Sequence, residues 1–359
     1  MLKKIDLYII KHYLGTFAVM LLMFIPIGIM VDVAEKIDKF KEKEIPLDAI
    51  IEYYINFTWY FGNLLYPVFI FLAIIWFTSK LANNSEIIAI LSSGVSFYRY
   101  LRPFLIAASV VAFFAFLAGM FIVPEASRGF KEFKYKYISR KKNDRTTSNL
   151  YKQINDNEFI YVSSYDPKRK RGNNFTLEHF KGEDLKFKIF AQTIRWVEKD
   201  SNFRLINYRK RTFRANYELY EQENRKDTIF GFEIQDLAPL NYLAETLSLG
   251  ELNKFIAEEK RSGSPLIDVH LLVRHKRYAI PLSVFILTII AVAVSSFKRR
   301  GGMGVNLAFG IITGFTFIFF DKIFGVLVDK TDLSPAIGAW LPLGVFGLLA
   351  IVLLAYAKR

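Results

Sequence analysis

The sequence predicts an α-helical membrane protein of six transmembrane helices with one inserted all-β, jelly-roll-like domain, and three observations carry that prediction. Six runs of about 18 or more nearly uncharged apolar residues recur along the 359-residue chain, each long enough to cross about 30 Å of hydrocarbon. Between the third and fourth runs the pattern changes, for roughly 150 residues, to short segments rich in aromatic and β-branched side chains. The charges on the short loops alternate in character from one loop to the next.

The spans are placed at Leu14–Val31, Tyr53–Thr78, Phe104–Val123, Tyr278–Phe297, Met303–Gly325 and Ala336–Ala357. The first is of full span length and ends in "MVDVAEKID", so it is expected to stay attached rather than be cleaved as a signal peptide. The domains read as residues 1–123 for the first three spans, 124–247 for the β domain, 248–273 for a connecting helix and 274–359 for the last three spans. Lys3, Lys4 and Lys11, then Lys80, Arg99 and Arg102, then Lys298, Arg299 and Arg300, and finally Lys358 and Arg359 mark the cytoplasmic side. Both termini are therefore expected there. The acid-leaning first loop and "DKTDLSP" suit the far side, as does the large insert, whose share of the +14 net charge does not decide its translocation.

Within the insert, "EFIYVSSY", "FTLEHF", "FKIFAQTIRWVE", "FRLINYRKRTF" and "TIFGFEI" read as strands separated by turn-forming clusters. Alternation places Phe159 and Tyr161 on one face of their strand, and Phe190, Ile194 and Trp196 on one face of another. Such residues fill the core of an ordinary sandwich or line an open-sided one that carries a lipid. "EASRGFKEFKYKYISRKKNDR" prolongs the third helix. Ser248 and Glu251 form an S-x-x-E capping box, and Gly263 supplies a stop, so a helix precedes the fourth span as a linker or a lever.

Chemistry of other kinds finds no footing. The chain has no cysteine and four scattered histidines, and it lacks H-E-x-x-H and nucleophile-elbow motifs. "GGMGVNLAFG" lacks the Lys-Ser/Thr of a phosphate loop, so no bound cofactor is expected. Gly310 and Gly314 have the G-x-x-x-G spacing of close helix packing. Asp321 and Lys322 follow about 27 Å of apolar helix, which places them either in a bundle interior or at headgroup depth.

Between the second and third spans, residues 84–94 predict a short amphipathic helix. Asn84 or Ser85 is its N-cap, Glu86 lies in the first turn, Ile87, Ile90 and Leu91 line one face, and Gly94 ends it. It fits a helix resting on lipid, or a coupling helix seated in a groove of a cytoplasmic ATPase.

The segments "NSEIIAILSSGVS", "FIVPEASRGFKEF", "RYAIPLSVFILTIIAVAVSS" and "GFTFIFFDKIFG", with the order of spans and insert, resemble the LptF/LptG permease family of the lipopolysaccharide exporter, and the length is closer to its LptG branch. The resemblance implies a Gram-negative inner-membrane subunit that pairs with an LptF-like permease. Two LptB-like ATPase subunits would bind ATP and magnesium in place of this chain, which has no catalytic activity of its own. Lipopolysaccharide would pass from the outer leaflet through the periplasmic β domain to LptC-like and LptA-like β proteins by strand addition. Residues Asn84, Ser85, Glu86, Ile87, Ile90, Leu91 and Gly94 would couple to the ATPase. The first and fifth helices would form a lateral gate carrying Phe24, Ile27, Phe317, Phe320, Asp321, Lys322 and Phe324. Where the family's LptG members place a lysine for lipid A phosphates, this chain has Val31 and Asp32, and the nearest cations are Lys36 and Lys39. A second reading keeps the ATPase coupling but has it move the β domain to regulate another factor, without lipid transport. Nucleic acid is not expected as a partner of an exported domain.

Overall fold

The computed structural model describes residues 3–138, 148–166, 169–197, 202–214, 217–232, 243–264, 266–297 and 302–357. The chain forms two compact units: a membrane unit of Met1–Ile138, Glu245–Leu249 and Leu271–Arg359, and a β unit of Ser139–Ala244 and Gly250–His270. Lys298–Arg300, Lys358 and Arg359, which helped to set the expected orientation, lie outside the described residues.

Along the chain run α1 (Lys4–Glu42), α2 (Leu47–Asn83), α3 (Glu86–Ser92), α4 (Phe97–Leu117) and α5 (Val123–Phe133). Strands β1 (Ser148–Asn155), β2 (Glu158–Asp166), β3 (Arg171–Lys181), β4 (Asp184–Val197), β5 (Asn202–Phe213) and β6 (Glu218–Thr228) follow. The chain ends with α6 (Leu243–Thr246), α7 (Leu249–Arg261), α8 (Ile267–Ser295), α9 (Gly302–Lys330) and α10 (Pro335–Ala357).

The six expected spans are present as apolar helical stretches at Lys4–Glu42, Leu47–Asn83, Phe97–Ile138, Ile267–Ser295, Met303–Lys330 and Pro335–Ala357. At 39 and 37 residues, α1 and α2 are roughly 55–60 Å long, about twice the hydrocarbon thickness. The third span is prolonged to Ile138, as its basic amphipathic sequence predicts. It passes through a π-helical turn at Ala118–Ile122, just before Pro124, whose missing N–H leaves the helical ladder one donor short. The ends of α1, α2 and α5 are held together by an aromatic cluster of Phe40, Tyr53, Phe57, Phe130 and Phe133, with Tyr53 stacked on Phe133 at 4.4 Å and Phe130 on Tyr60 at 4.5 Å.

The G-x-x-x-G spacing does what close packing requires. A Cβ added to Gly310 would lie 2.6 Å from the Ile75 side chain, and one on Gly314 would lie 3.4 Å from Val68, so α9 approaches α2 through these glycines. Buried polar contacts fix the helices further. Asn306 Nδ2 donates to Ser79 Oγ at 3.0 Å between α9 and α2, and the Tyr13 hydroxyl meets Thr288 Oγ1 at 3.2 Å between α1 and α8.

In the β unit, β1 to β6 form one antiparallel meander in sequence order. Two expectations are corrected here. The strand expected at "TIFGFEI" is not formed by its described residues: β6 ends at Thr228, and the irregular segment after it lays Phe230 and Phe232 on Phe175 and Phe203. β6 itself, "ELYEQENRKDT", escaped the hydrophobic-alternation search because it is an edge strand with almost every residue exposed. Phe159 and Tyr161 do share a face, but it is the face turned away from the core, which receives Ile160 and Val162 instead. Ile194 and Trp196 reach the core while Phe190 does not.

The reason is a crease. Buried apolar residues repeat every two positions at Ile160/Val162, Phe175/Leu177 and Ile189/Ala191, then jump by three to Tyr165, Gly172 and Ile194. On β5 the same jump separates Leu205 from Tyr208. These positions are aligned across the sheet, since Val162 pairs with Phe175 and Phe175 with Ala191, while Tyr165 pairs with Gly172, Gly172 with Ile194 and Ile194 with Leu205. Four strands therefore change face along one row while keeping register. Asn174 and Asn207, with φ of 50° and 53°, take the left-handed backbone that this row demands. Their amides are used locally: Asn174 donates to Ser163 Oγ at 3.1 Å and Asn207 donates to Gln192 Oε1. The crease lets two halves of one sheet feed a single core closed by Phe230 and Phe232, which is how one meander supplies the packed apolar interior expected of two layers.

Candidate functional site

The segment after α2 turns sharply before α3. Ser85 is left-handed, with φ of 61°, and makes no side-chain cap, while the Asn84 amide donates to Glu86 Oε1 at 3.0 Å. Ser85 stands at the expected N-cap position, but the side-chain cap is replaced by a tight reversal, because only two residues, Asn84 and Ser85, separate the end of α2 from the start of α3. Gly94 ends the segment as predicted, with φ of 85° and its N–H donating to Leu91 at 3.1 Å. Tyr8 OH lies 3.5 Å from the second oxygen of Glu86.

α3 is only seven residues long. Its apolar face is turned inward: Ile87 is buried in the bundle core, and Ile90 and Leu91 pack against it. The face left to solvent carries Asn84, Ser85, Ile88, Ala89 and Ser92, with Glu86 half-buried at its rim. Beside it, Asp6 receives a bidentate contact from Arg99 at 2.6 and 2.7 Å, which ties the start of α1 to the start of α4. Neither Asp6, Arg99 nor Tyr8 stood out in the sequence, where they look like ordinary terminal charges and an interfacial aromatic.

The two lysines expected near lipid phosphates have different fates. Lys36 is enclosed, bound to the Asp32 carboxylate and donating to Tyr53 OH at 2.7 Å; Tyr53 OH in turn donates to Asp32 at 3.0 Å, and Tyr54 OH donates to the same carboxylate at 3.3 Å. Lys39 is exposed. On the gate elements, Phe24 stacks on Phe69 at 5.1 Å and Ile27 is exposed. Phe317 is buried edge-on against Phe346 at 5.2 Å, and Phe320 contacts both Phe346 and Phe324 at 6.3 Å. Asp321 is engaged by Lys276 of α8, whose ammonium donates to its carboxylate at 2.8 Å and to its carbonyl at 3.0 Å, whereas Lys322 is exposed. The structure therefore joins Asp321 to a cation on another span, a partner that sequence spacing did not reveal. α1 and α9 each pack on α2, and each presents a strip of exposed apolar residues: Leu22, Met23 and Ile27 on one, Ile312, Phe315 and Phe319 on the other.

Six apolar helices, a β unit inserted between the third and fourth, and a short helix beside the second define a polytopic membrane subunit with a separate β domain. Among the described residues, no group of three or more His, Cys, Asp or Glu is placed to hold a metal. Residues 7–356 match the family described as lipopolysaccharide export system permease LptF/LptG, and the chain belongs to that family. It is 22% identical over 298 residues to the lipopolysaccharide export system permease protein LptG of Escherichia coli strain K12, covering 81% of each chain. The LptG protein of E. coli O6:H1 matches to the same extent.

Proposed function

We propose that this chain is the LptG-type permease of an ABC transporter, and that it draws lipopolysaccharide from the outer leaflet of the inner membrane and hands it to a periplasmic bridge. The observation that carries the reading is the family match over nearly the whole chain, spans and β insert together. Its companions are an LptF-like permease, two LptB-like ATPases that hold ATP and magnesium, and LptC-like and LptA-like β proteins. With the termini cytoplasmic, the solvent face of α3 is presented to the ATPase and the β unit is periplasmic. The inward packing of Ile87, Ile90 and Leu91 supports a rigid contact point: a push on Ile88, Ala89 or Ser92 is passed into the bundle core rather than absorbed by lipid. Of the two lysines, Lys39 is the one free to meet a lipid A phosphate, because Lys36 is already neutralised by Asp32.

Native mass spectrometry of the gently solubilised protein from its own host tests the assembly. One copy with one related permease, two ATPases and bound glycolipid is the expected mass, and a lone chain or homodimer without ATPase or glycolipid turns the assignment to the regulatory reading. Glu86→Lys is expected to lower lipid-stimulated ATP turnover at least about tenfold, since a charge-assisted contact becomes a repulsion. The β unit stays folded. Unchanged turnover removes Glu86 from the coupling contact.

A further inference from the structure

The β unit holds a cleft that includes none of the site residues described above. It lies between strand β1 and the end of α7 and has a volume of about 290 Å³, near the lower end for ligand clefts. Its walls are joined: the Gln153 N–H on β1 donates to the Ser262 carbonyl at 3.1 Å, and Gly263, with φ of 62°, turns the chain away beyond it.

Three kinds of chemistry meet there. Tyr151 is 62% exposed and pairs with Tyr161 at 4.4 Å, and Phe159 is 39% exposed and meets Phe180 edge-on at 5.7 Å, so aromatic faces stay open to solvent on the side of the sheet away from its core. Lys260 and Arg261 line the opposite wall, both exposed and neither ion-paired with a described residue. Gln153 and Ser262 add an amide and a hydroxyl. A flat aromatic wall fits the C–H face of a sugar ring, the amide and hydroxyl fit its hydroxyls, and the paired cations fit a phosphate or carboxylate on it. The cleft is too small for a folded peptide element, and its mostly apolar lining carries exposed cations, a combination that suits an anionic sugar better than an acyl chain.

We propose that this cleft binds an anionic, phosphorylated saccharide: the sugar portion of the transported glycolipid, held on the outside of the β unit while the acyl chains travel elsewhere. The proposal rests on the export reading for the source of the saccharide.

The test uses the full chain in nanodiscs of phosphatidylcholine. The probe is the fully deacylated, phosphorylated oligosaccharide of an enterobacterial lipopolysaccharide, and binding is read by calorimetry and saturation-transfer NMR. The wild type is expected to bind, with the aromatic protons of Tyr151 and Phe159 nearest the sugar. Lys260→Glu with Arg261→Glu is expected to weaken binding at least about tenfold, and phosphatase treatment of the probe by a similar factor. Tyr151→Ala weakens it, while Tyr151→Trp, which keeps a stacking face, retains it and guards against misfolding. Equal affinity in the double variant, or undiminished binding of the dephosphorylated probe, overturns the proposal. So does capture of a poly-glutamate peptide at these residues in place of the saccharide. If intact lipopolysaccharide stays with the complex in native mass spectrometry while the soluble probe binds nowhere, the cleft assignment falls and the export reading stands.

Discussion

The enclosed lysine pairs of the membrane unit and the cross-strand ion pairs of the β unit sit in opposite surroundings. In the membrane unit, Lys36 and Asp32 are enclosed with two tyrosine hydroxyls, and Lys276 and Asp321 join two spans with only about a fifth of each side chain exposed. In the β unit, Lys188–Glu178, Arg204–Asp227 and Arg211–Glu218 are cross-strand pairs on the water side of the sheet. The contacts are alike in distance and unlike in consequence. Water and salt screen the second group, so each contributes little to stability. Removing one member of the first group leaves a charge with little water to solvate it.

Lys36→Met probes the contrast where it is greatest. It leaves the Asp32 carboxylate enclosed without its cation, and a loss of about 3 kcal/mol is expected, at the low end for a broken buried pair because Tyr53 and Tyr54 still donate to it. Lys36→Met combined with Asp32→Leu recovers most of that loss in detergent unfolding midpoints. A single variant as stable as wild type erases the distinction between the units. Gly310→Leu comes next, with about 1–3 kcal/mol lost from the membrane unit. The new side chain must displace Ile75, which is fully buried and 2.6 Å from the Cβ position; an unchanged midpoint removes Gly310 from the packing contact.

The smallest effect belongs to the sheet surface. Hydrogen bonds from Arg204, and then Arg225, hold the Asp227 carboxyl down from 3.8 to about 2. A depressed carboxyl stabilises the fold above its unfolded value and loses that contribution as pH falls through its folded one. The stability difference between wild type and Asp227→Asn should therefore be constant above about pH 4 and vanish near pH 2. A carboxyl resonance that titrates near 3.8 breaks the assignment.

What the sequence made legible follows the same division. Apolar length alone located the six spans, since a helix satisfies its own backbone in hydrocarbon, and the Gly310–Gly314 spacing foretold a close-packed face on α9 but not that α2 would meet it. Gly94 and Gly263 marked their stops because a left-handed residue is needed at each. Partners across spans stayed hidden: Lys276 for Asp321, Arg99 for Asp6 and Tyr53 for Lys36 are distant in sequence, and no local period encodes them. In the β unit, alternation found the inner strands and missed both edge strands, β1 and β6, the latter because its exposed side chains carry no alternation to read. It also assigned Phe159 and Tyr161 without knowing that the face would change partway along each strand. The segment at residues 84–94 was visible as a short amphipathic helix, but which way its apolar side turned depended on the bundle it leans on.

The crease in the sheet carries a lesson about how such a domain changes over evolutionary time. Because β2, β3, β4 and β5 change face along one shared row, a single-residue insertion or deletion upstream of that row in any one strand would shift its turning point relative to its neighbours. The strand would then present polar groups to the interior on one side of the fold line. Length changes at the hairpin tips carry no such penalty. The strand bodies are thus bound to drift in length together, while their turns are free to lengthen one at a time.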